Sequence, residues 1–237
     1  MTNEGSGRLG PQIRFCLFDI MGTVVDLDGS VRQDTAAVLR RSGFAGEDVE
    51  ALVGRCEQRL GELMAEVTAG RRGWQGHREL RRLALAETLA ERHLPELEPA
   101  AAAEASGVIH RLTPWPDSPL ALRSLQEVVT VVGLSNADLA ELVGLSRHGG
   151  LSWHGLLSGE LVKAFKPDPA VYRMALQFLD AQASEVLMVA AHPWDLREAA
   201  DQGLATAYIA RPGAEAPAAA DDFDVSVPDL ASLSALF

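Results

Sequence analysis

Four short stretches of the chain carry side chains that can do chemistry together: Asp19 with Thr23, Ser135 with Asn136, Lys166, and Asp195. A carboxylate such as Asp19 can attack an electrophilic carbon or phosphorus, forming a covalent intermediate that water later cleaves. Gly22 permits a tight turn after it, and the Thr23 hydroxyl can hydrogen-bond the carboxylate and hold its rotamer. Taken alone, such an aspartate is more often one that caps a turn. Ser135 and Asn136, with nearby backbone N–H groups, suit a substrate carboxylate or a developing oxyanion, and they also suit a plain helix N-cap. A lysine aimed between two aspartates keeps Asp19 ionised and stabilises charge during a displacement, although a solvated surface is the commonest place for lysine. Asp195 is suited to anchor Lys166 and to orient a water.

These groups need elements that bring them together. Residues 13–20 (IRFCLFDI) form a short apolar run of the kind that makes a buried parallel strand, with Asp19 at its C-terminal end. Residues 128–134, 186–191 and 206–210 look alike, and 225–227 suit a short edge strand. Helical patterns lie between them, so the expected fold class is α/β, a Rossmann-like doubly wound parallel sheet. In such sheets ligands bind outside the carboxyl ends of the strands, where all four stretches are expected to converge. Asp117-Ser118-Pro119 offers an N-cap for a helix to about Glu127, and Asp168-Pro169 repeats that signal. A helix over 195–202 ends at Gly203, a left-handed C-cap.

Residues 31–113 read differently, without strand-like runs and rich in Ala, Leu, Glu and Arg. Leu52, Cys56, Leu60, Leu63, Met64 and Val67 fall at helical spacing before Gly70, with Glu47 and Asp48 near the helix start. Two more helical stretches follow at 77–92 and 99–112. The expected organisation is a flexible lead-in at 1–12, a core made of 13–30 and 114–237, and a helical cap at 31–113 inserted between the first two core strands.

Together the blocks FDIMGTVVD, GLSNAD, FKPDPAVY and MVAAHPWD resemble the haloacid dehalogenase superfamily, and within it the type II, or L-2-haloacid, dehalogenases. The resemblance runs from residue 15 to about residue 212. It implies Asp19 as nucleophile, Ser135 as the binder of the substrate carboxylate, a homodimer, and a cap arginine that receives the departing halide. Arg55 and Arg59 flank the place where such enzymes carry Trp-Arg, which here reads Cys56-Glu57; both also suit solvated helix faces. Superfamily phosphatases place a second aspartate two residues after the nucleophile as a general acid. Here that residue is Met21, which has no proton to donate. Dehalogenases usually carry an aromatic pocket residue there, and Met21 is either such a lining or plain packing. Magnesium-dependent members carry a further acid where this chain reads Ala190, Ala191 and His192, so no metal site and no cofactor are expected. His192, where some dehalogenases have asparagine, is a polar site residue or a loop histidine. Trp115 and Pro116 resemble an element near the pocket, and packing explains them equally well.

The formal charge of −12 argues against nucleic acid or an anionic membrane surface as partner. No apolar run approaches the ~18 residues of a membrane span. Two cysteines, Cys16 and Cys56, make no disulfide framework, and residues 1–12 have no signal-peptide core, which together point to the cytoplasm. The expected activity is hydrolytic dehalogenation of a small 2-haloalkanoic acid. The alternatives are a magnesium-dependent phosphatase or phosphonatase-type hydrolase using the same Asp19, and a non-hydrolytic binding or assembly protein on the same fold.

Overall fold

The structure, a computed structural model, describes residues 12–237; the lead-in expected at 1–12 lies outside the described residues except for Gln12. Its strands in chain order are β1 (Phe15–Phe18), β2 (Val25–Asp26), β3 (Thr113–Pro114), β4 (Thr130–Ser135), β5 (Gly155–Ser158), β6 (Val186–Ala190), β7 (Ala205–Ile209) and β8 (Val225–Val227). Six of them make one sheet in the order β5-β4-β1-β6-β7-β8, every pair parallel. The chain builds outward from β1 in one direction and then returns to build in the other. β1 is therefore the point where strand order reverses, and the crevice at its carboxyl end is where such sheets place ligands.

Parallel strands need both faces covered, and the β1 sequence FCLF is buried throughout. Its side chains alternate between two cores, as the two-residue period of a strand requires. Cys16 and Phe18 join Leu122, Leu125, Leu142 and Leu145, while Phe15 and Leu17 join Val171, Tyr172, Met174 and Leu196. The first set comes from helices α5 (Ser118–Gln126) and α6 (Leu139–Gly149), and the second from α7 (Pro169–Leu179) and α8 (Pro193–Asp201). Helix α9 (Leu230–Ser234) packs with α5. This is the doubly wound sheet expected from the sequence.

Strands β2 and β3 form a small antiparallel ribbon, Val25 opposite Pro114 and Asp26 opposite Thr113. Between them run four helices: α1 (Leu27–Leu39), α2 (Val49–Thr68), α3 (His77–Glu91) and α4 (Pro99–Ser106). The apolar stripe of α2 is buried at Leu52, Cys56, Leu60 and Leu63, and α3 answers with Leu80, Ala84, Leu85 and Leu89.

Several boundaries differ from the sequence reading. Helix α1 begins at Leu27 rather than after residue 30, because the Asp26 carboxylate accepts the Gly29 N–H at 2.9 Å. Helix α4 stops at Ser106, and a 3₁₀ turn replaces its expected end to residue 112. Helix α8 opens at Pro193, two residues before Asp195. Asp117 does not cap α5; its carboxylate takes Arg211 and the Leu230 N–H instead. Strand β5 was not expected at all, since GLLS offers two apolar residues after a glycine. Among the described residues no helix is long and apolar enough to cross a membrane.

Candidate active site

Asp19 follows β1 directly, its N–H held by the Val189 carbonyl at 2.9 Å. The chain turns sharply at Gly22, whose φ of +85° lies in the left-handed region that glycine tolerates. A Cβ there would also stand 2.8 Å from His192 Nε2, so two independent constraints select glycine. The turn returns Thr23 to the carboxylate: its hydroxyl accepts the Ala191 N–H at 2.8 Å and donates to Asp19 Oδ2 at 2.6 Å. With its acceptor role taken by Ala191, the hydroxyl proton is directed at Asp19, and the carboxylate rotamer is fixed.

Lys166 reaches the other oxygen. Its Nζ donates to Asp19 Oδ1 at 2.8 Å, Asp195 Oδ2 at 2.5 Å and the Leu134 carbonyl at 3.2 Å, so three ammonium protons meet three acceptors. Burial works against the charged ammonium, but Asp19 and then Asp195 outweigh it and hold Lys166 above the usual lysine range. Asp195 is fully buried, and burial, reinforced by the Asp19 charge, pushes its carboxyl upward against the pull of Lys166. Its remaining oxygen, Oδ1, accepts the Tyr172 hydroxyl at 2.5 Å. Tyr172 was not among the expected site residues, although it ends the FKPDPAVY block. From the first turn of α7, just past the Asp168 cap, it points back at the sheet.

Asn136 acts on Lys166 through the backbone: its amide donates to the Lys166 carbonyl at 3.2 Å and accepts the Lys166 N–H at 2.6 Å. It thus fixes where the lysine starts and is not an N-cap. Capping of α6 falls to Asp138 and Glu141.

Asp19, Lys166 and Asn136 open on a cavity of about 230 Å³ that Met21, Leu27, Leu60, Met64, His192 and Trp194 also line. Met21 is therefore a wall residue. His192 is in the site as well: its Nε2 donates to the Met21 carbonyl at 2.9 Å, lies 3.6 Å from Asp19 Oδ2, and its ring stacks on Trp194. A larger concavity of about 550 Å³ beside α3 and α4 is lined by neither Asp19 nor Lys166 nor Asn136.

Four of the residues expected to bind substrate do not reach this cavity. Ser135 is wholly buried at the end of β4, its Oγ accepting the Ala137 N–H at 3.2 Å. Trp115 donates to the Gly22 carbonyl at 3.1 Å and packs under Arg211, lining a neighbouring cavity of about 200 Å³ that His192 also borders. Arg55 and Arg59 turn to the carboxylates of α2 and α3, Arg55 to Glu62 and Glu91, Arg59 to Glu62, Glu66 and Glu87. Four acidic side chains within reach outcompete a cavity in which Glu57 already stands.

Arg81 supplies the arginine of the cavity wall. It is 6% exposed and binds Glu57 through two bonds of 2.5 and 3.1 Å, while its buried Nε has no partner. One turn earlier on α3, His77 lines the same cavity. Its Nδ1 lies 3.0 Å from Glu141 Oε2, and its backbone N–H goes to Asp138 at 2.8 Å. Burial opposes ionising Glu141, yet the His77 contact outweighs it and holds the carboxyl below the usual glutamate range. The i, i+4 spacing of His77 and Arg81 put them on one helix face; nothing in the α3 sequence said which face meets the cavity.

Among the described residues no group of three or more His, Cys, Asp or Glu side chains gathers in metal-binding geometry. Asp19 and Asp195 both spend lone pairs on Lys166 Nζ, which stands between them where a divalent ion would need oxygen ligands. The arrangement is that of a carboxylate fixed in rotamer, paired with a buried ammonium, and open on one side to a small cavity.

The sequence model of the family described as haloacid dehalogenase-like hydrolase matches residues 13–203. The chain is 30% identical over 205 residues to (S)-2-haloacid dehalogenase 1 of Pseudomonas sp. (strain CBS-3), covering 84% of this chain and 85% of that protein. Its structure resembles that of an L-2-haloacid dehalogenase with a TM-score of 0.86 and 35% identity, over 94% of this chain and 97% of the other. It also resembles the L-2-haloacid dehalogenase from Xanthobacter autotrophicus with chloropropionic acid covalently bound, with a TM-score of 0.79 and 26% identity, over 94% and 98% of the two chains.

Proposed function

The chain belongs to the haloacid dehalogenase-like hydrolase family, and we propose that it is a 2-haloacid dehalogenase working without metal or organic cofactor. Helices α1 to α4 act as the cap over a core whose nucleophile is Asp19. An Asp19 oxygen attacks carbon 2 of a small 2-haloalkanoate, the carbon–halogen bond breaks in line, and halide leaves toward the cap wall. Arg81 meets it there, a cation carried by α3 in place of the α2 arginine that the resemblance implied. Water then attacks the Asp19 carbonyl, and the ester bond between Asp19 and the product oxygen breaks, giving the 2-hydroxy acid. Carbon 2 undergoes one displacement, so its configuration inverts.

The observation that carries this reading is the pairing of a fixed Asp19 with Met21 on the same cavity wall. Met21 has no proton for a leaving oxygen, whereas halide leaves without one. The test is halide release from L- and D-2-chloropropionate, chloroacetate and bromoacetate with EDTA present throughout. Release from the L substrate, lost in Asp19→Asn, supports the reading; silence on all four, with magnesium-dependent phosphate release from esters, overturns it. The same reading places the enzyme in the cytoplasm as a homodimer taking a free small carboxylate. Support comes from the free, buried thiols of Cys16 and Cys56 and the family resemblance, and light scattering checks the dimer.

A further inference from the structure

Hydrolysis of an aspartyl ester needs a base within about 3 Å of the attacking water. Asp195 is wholly buried, does not line the cavity, and has both oxygens engaged, by Lys166 and Tyr172. Glu57 is held in two bonds to Arg81. His192 turns Nε2, the nitrogen 3.6 Å from Asp19 Oδ2, to a carbonyl, so the nitrogen beside the ester carries a proton and cannot accept one. His77 differs from all three. It lines the cavity, its Nδ1 faces the Glu141 carboxylate, and its Nε2 has no hydrogen-bond partner among the described residues. A carboxylate behind Nδ1 fixes the proton there and leaves the Nε2 lone pair as the base.

Resting on the dehalogenase reading, we propose that His77, positioned by Glu141, is the general base of the second half-reaction. Nε2 takes one proton from the water whose oxygen bonds to Asp19 Cγ. As the tetrahedral species collapses, the bond from Cγ to the product oxygen breaks, and the imidazolium returns that proton to the departing alkoxide. Asp19 keeps the water oxygen and releases the second proton to solvent. The first half-reaction, in which halide leaves, makes no use of His77.

Rapid-quench kinetics with L-2-chloropropionate separate the steps. In His77→Gln the burst of one halide per site persists near the wild-type rate. Steady turnover falls about 10²–10⁴-fold, the range of a lost general base, and mass spectrometry finds the ester on Asp19. Glu141→Gln retains the imidazole and slows the same second phase by a smaller factor. Imidazole added to His77→Ala restores turnover without changing the burst, a rescue that a merely structural histidine would not show. Unchanged turnover with no ester in His77→Gln overturns the assignment. If that variant does not fold, a Glu141→Gln second phase equal to wild type overturns it instead. Failure of the dehalogenase reading itself looks different, since wild type then shows no halide burst.

Discussion

Arg81 on α3 and Glu57 on α2 close a two-bond ion pair across the cavity wall, leaving the buried Arg81 Nε unpartnered. Glu57, whose negative charge alone would repel a halide, is thus paired with an arginine 24 residues further along. Arg81→Met should lower kcat/KM for 2-chloropropionate at least tenfold, about 1.4 kcal/mol in barrier. Glu57→Gln frees the cation and should strengthen inhibition by bromide. Steady-state kinetics with bromide titration read both; bromide inhibition unchanged in both variants would remove Arg81 from the leaving-group wall.

Tyr172→Phe removes the hydroxyl that satisfies Asp195 Oδ1. A buried acceptor stripped of its partner costs about 1–3 kcal/mol. The variant should melt several degrees lower, and its activity should fall because Asp195 holds Lys166 in place. Differential scanning calorimetry with halide-release rates checks both.

The core of the site was legible because Asp19, Thr23, Lys166 and Asp195 each stand in a short block whose strand-to-loop context can be read locally. The cap wall was not. Arg55 and Arg59 look like candidates along α2, but whether an arginine faces a cavity or a neighbouring glutamate is decided by how α2 packs on α3, and no one-helix pattern records that. The same holds for Asp117, which has the cap signature of α5 yet is taken by Arg211, 94 residues away. Strand β5 escaped because its four residues gain their strand conformation from pairing with β4, Val132 opposite Gly155 through Ser135 opposite Ser158, rather than from their own composition.

Acid should loosen the junction between α3 and α6. The carboxyl of Glu141 is held below its ordinary value of 4.5 in the folded protein. A group so depressed contributes stability that is present above the unfolded value and is lost as pH falls through the folded one. Wild type should therefore exceed Glu141→Gln in Tm at pH 7, and the gap should narrow below about pH 4. Paired melts across pH 3–8 give the answer; a gap that widens toward acid would contradict it.

Gly22→Ala places a Cβ 2.8 Å from His192 Nε2 at a φ of +85°. Strain of about 1–3 kcal/mol is expected for a side chain in such a position. The imidazole must also move from the Met21 carbonyl, so a lowered Tm should come with a lowered rate. Denaturant melts and kinetics on one preparation test this.

The most direct test of Asp19 as the nucleophile is a single turnover of L-2-chloropropionate, with enzyme in excess, in water enriched in oxygen-18. If Asp19 attacks carbon and water then cleaves the ester at Cγ, the label appears in the Asp19 peptide, and the first lactate carries ordinary oxygen and inverted configuration. Label in the lactate with none in Asp19 would mean that water attacks carbon directly, and would contradict the account.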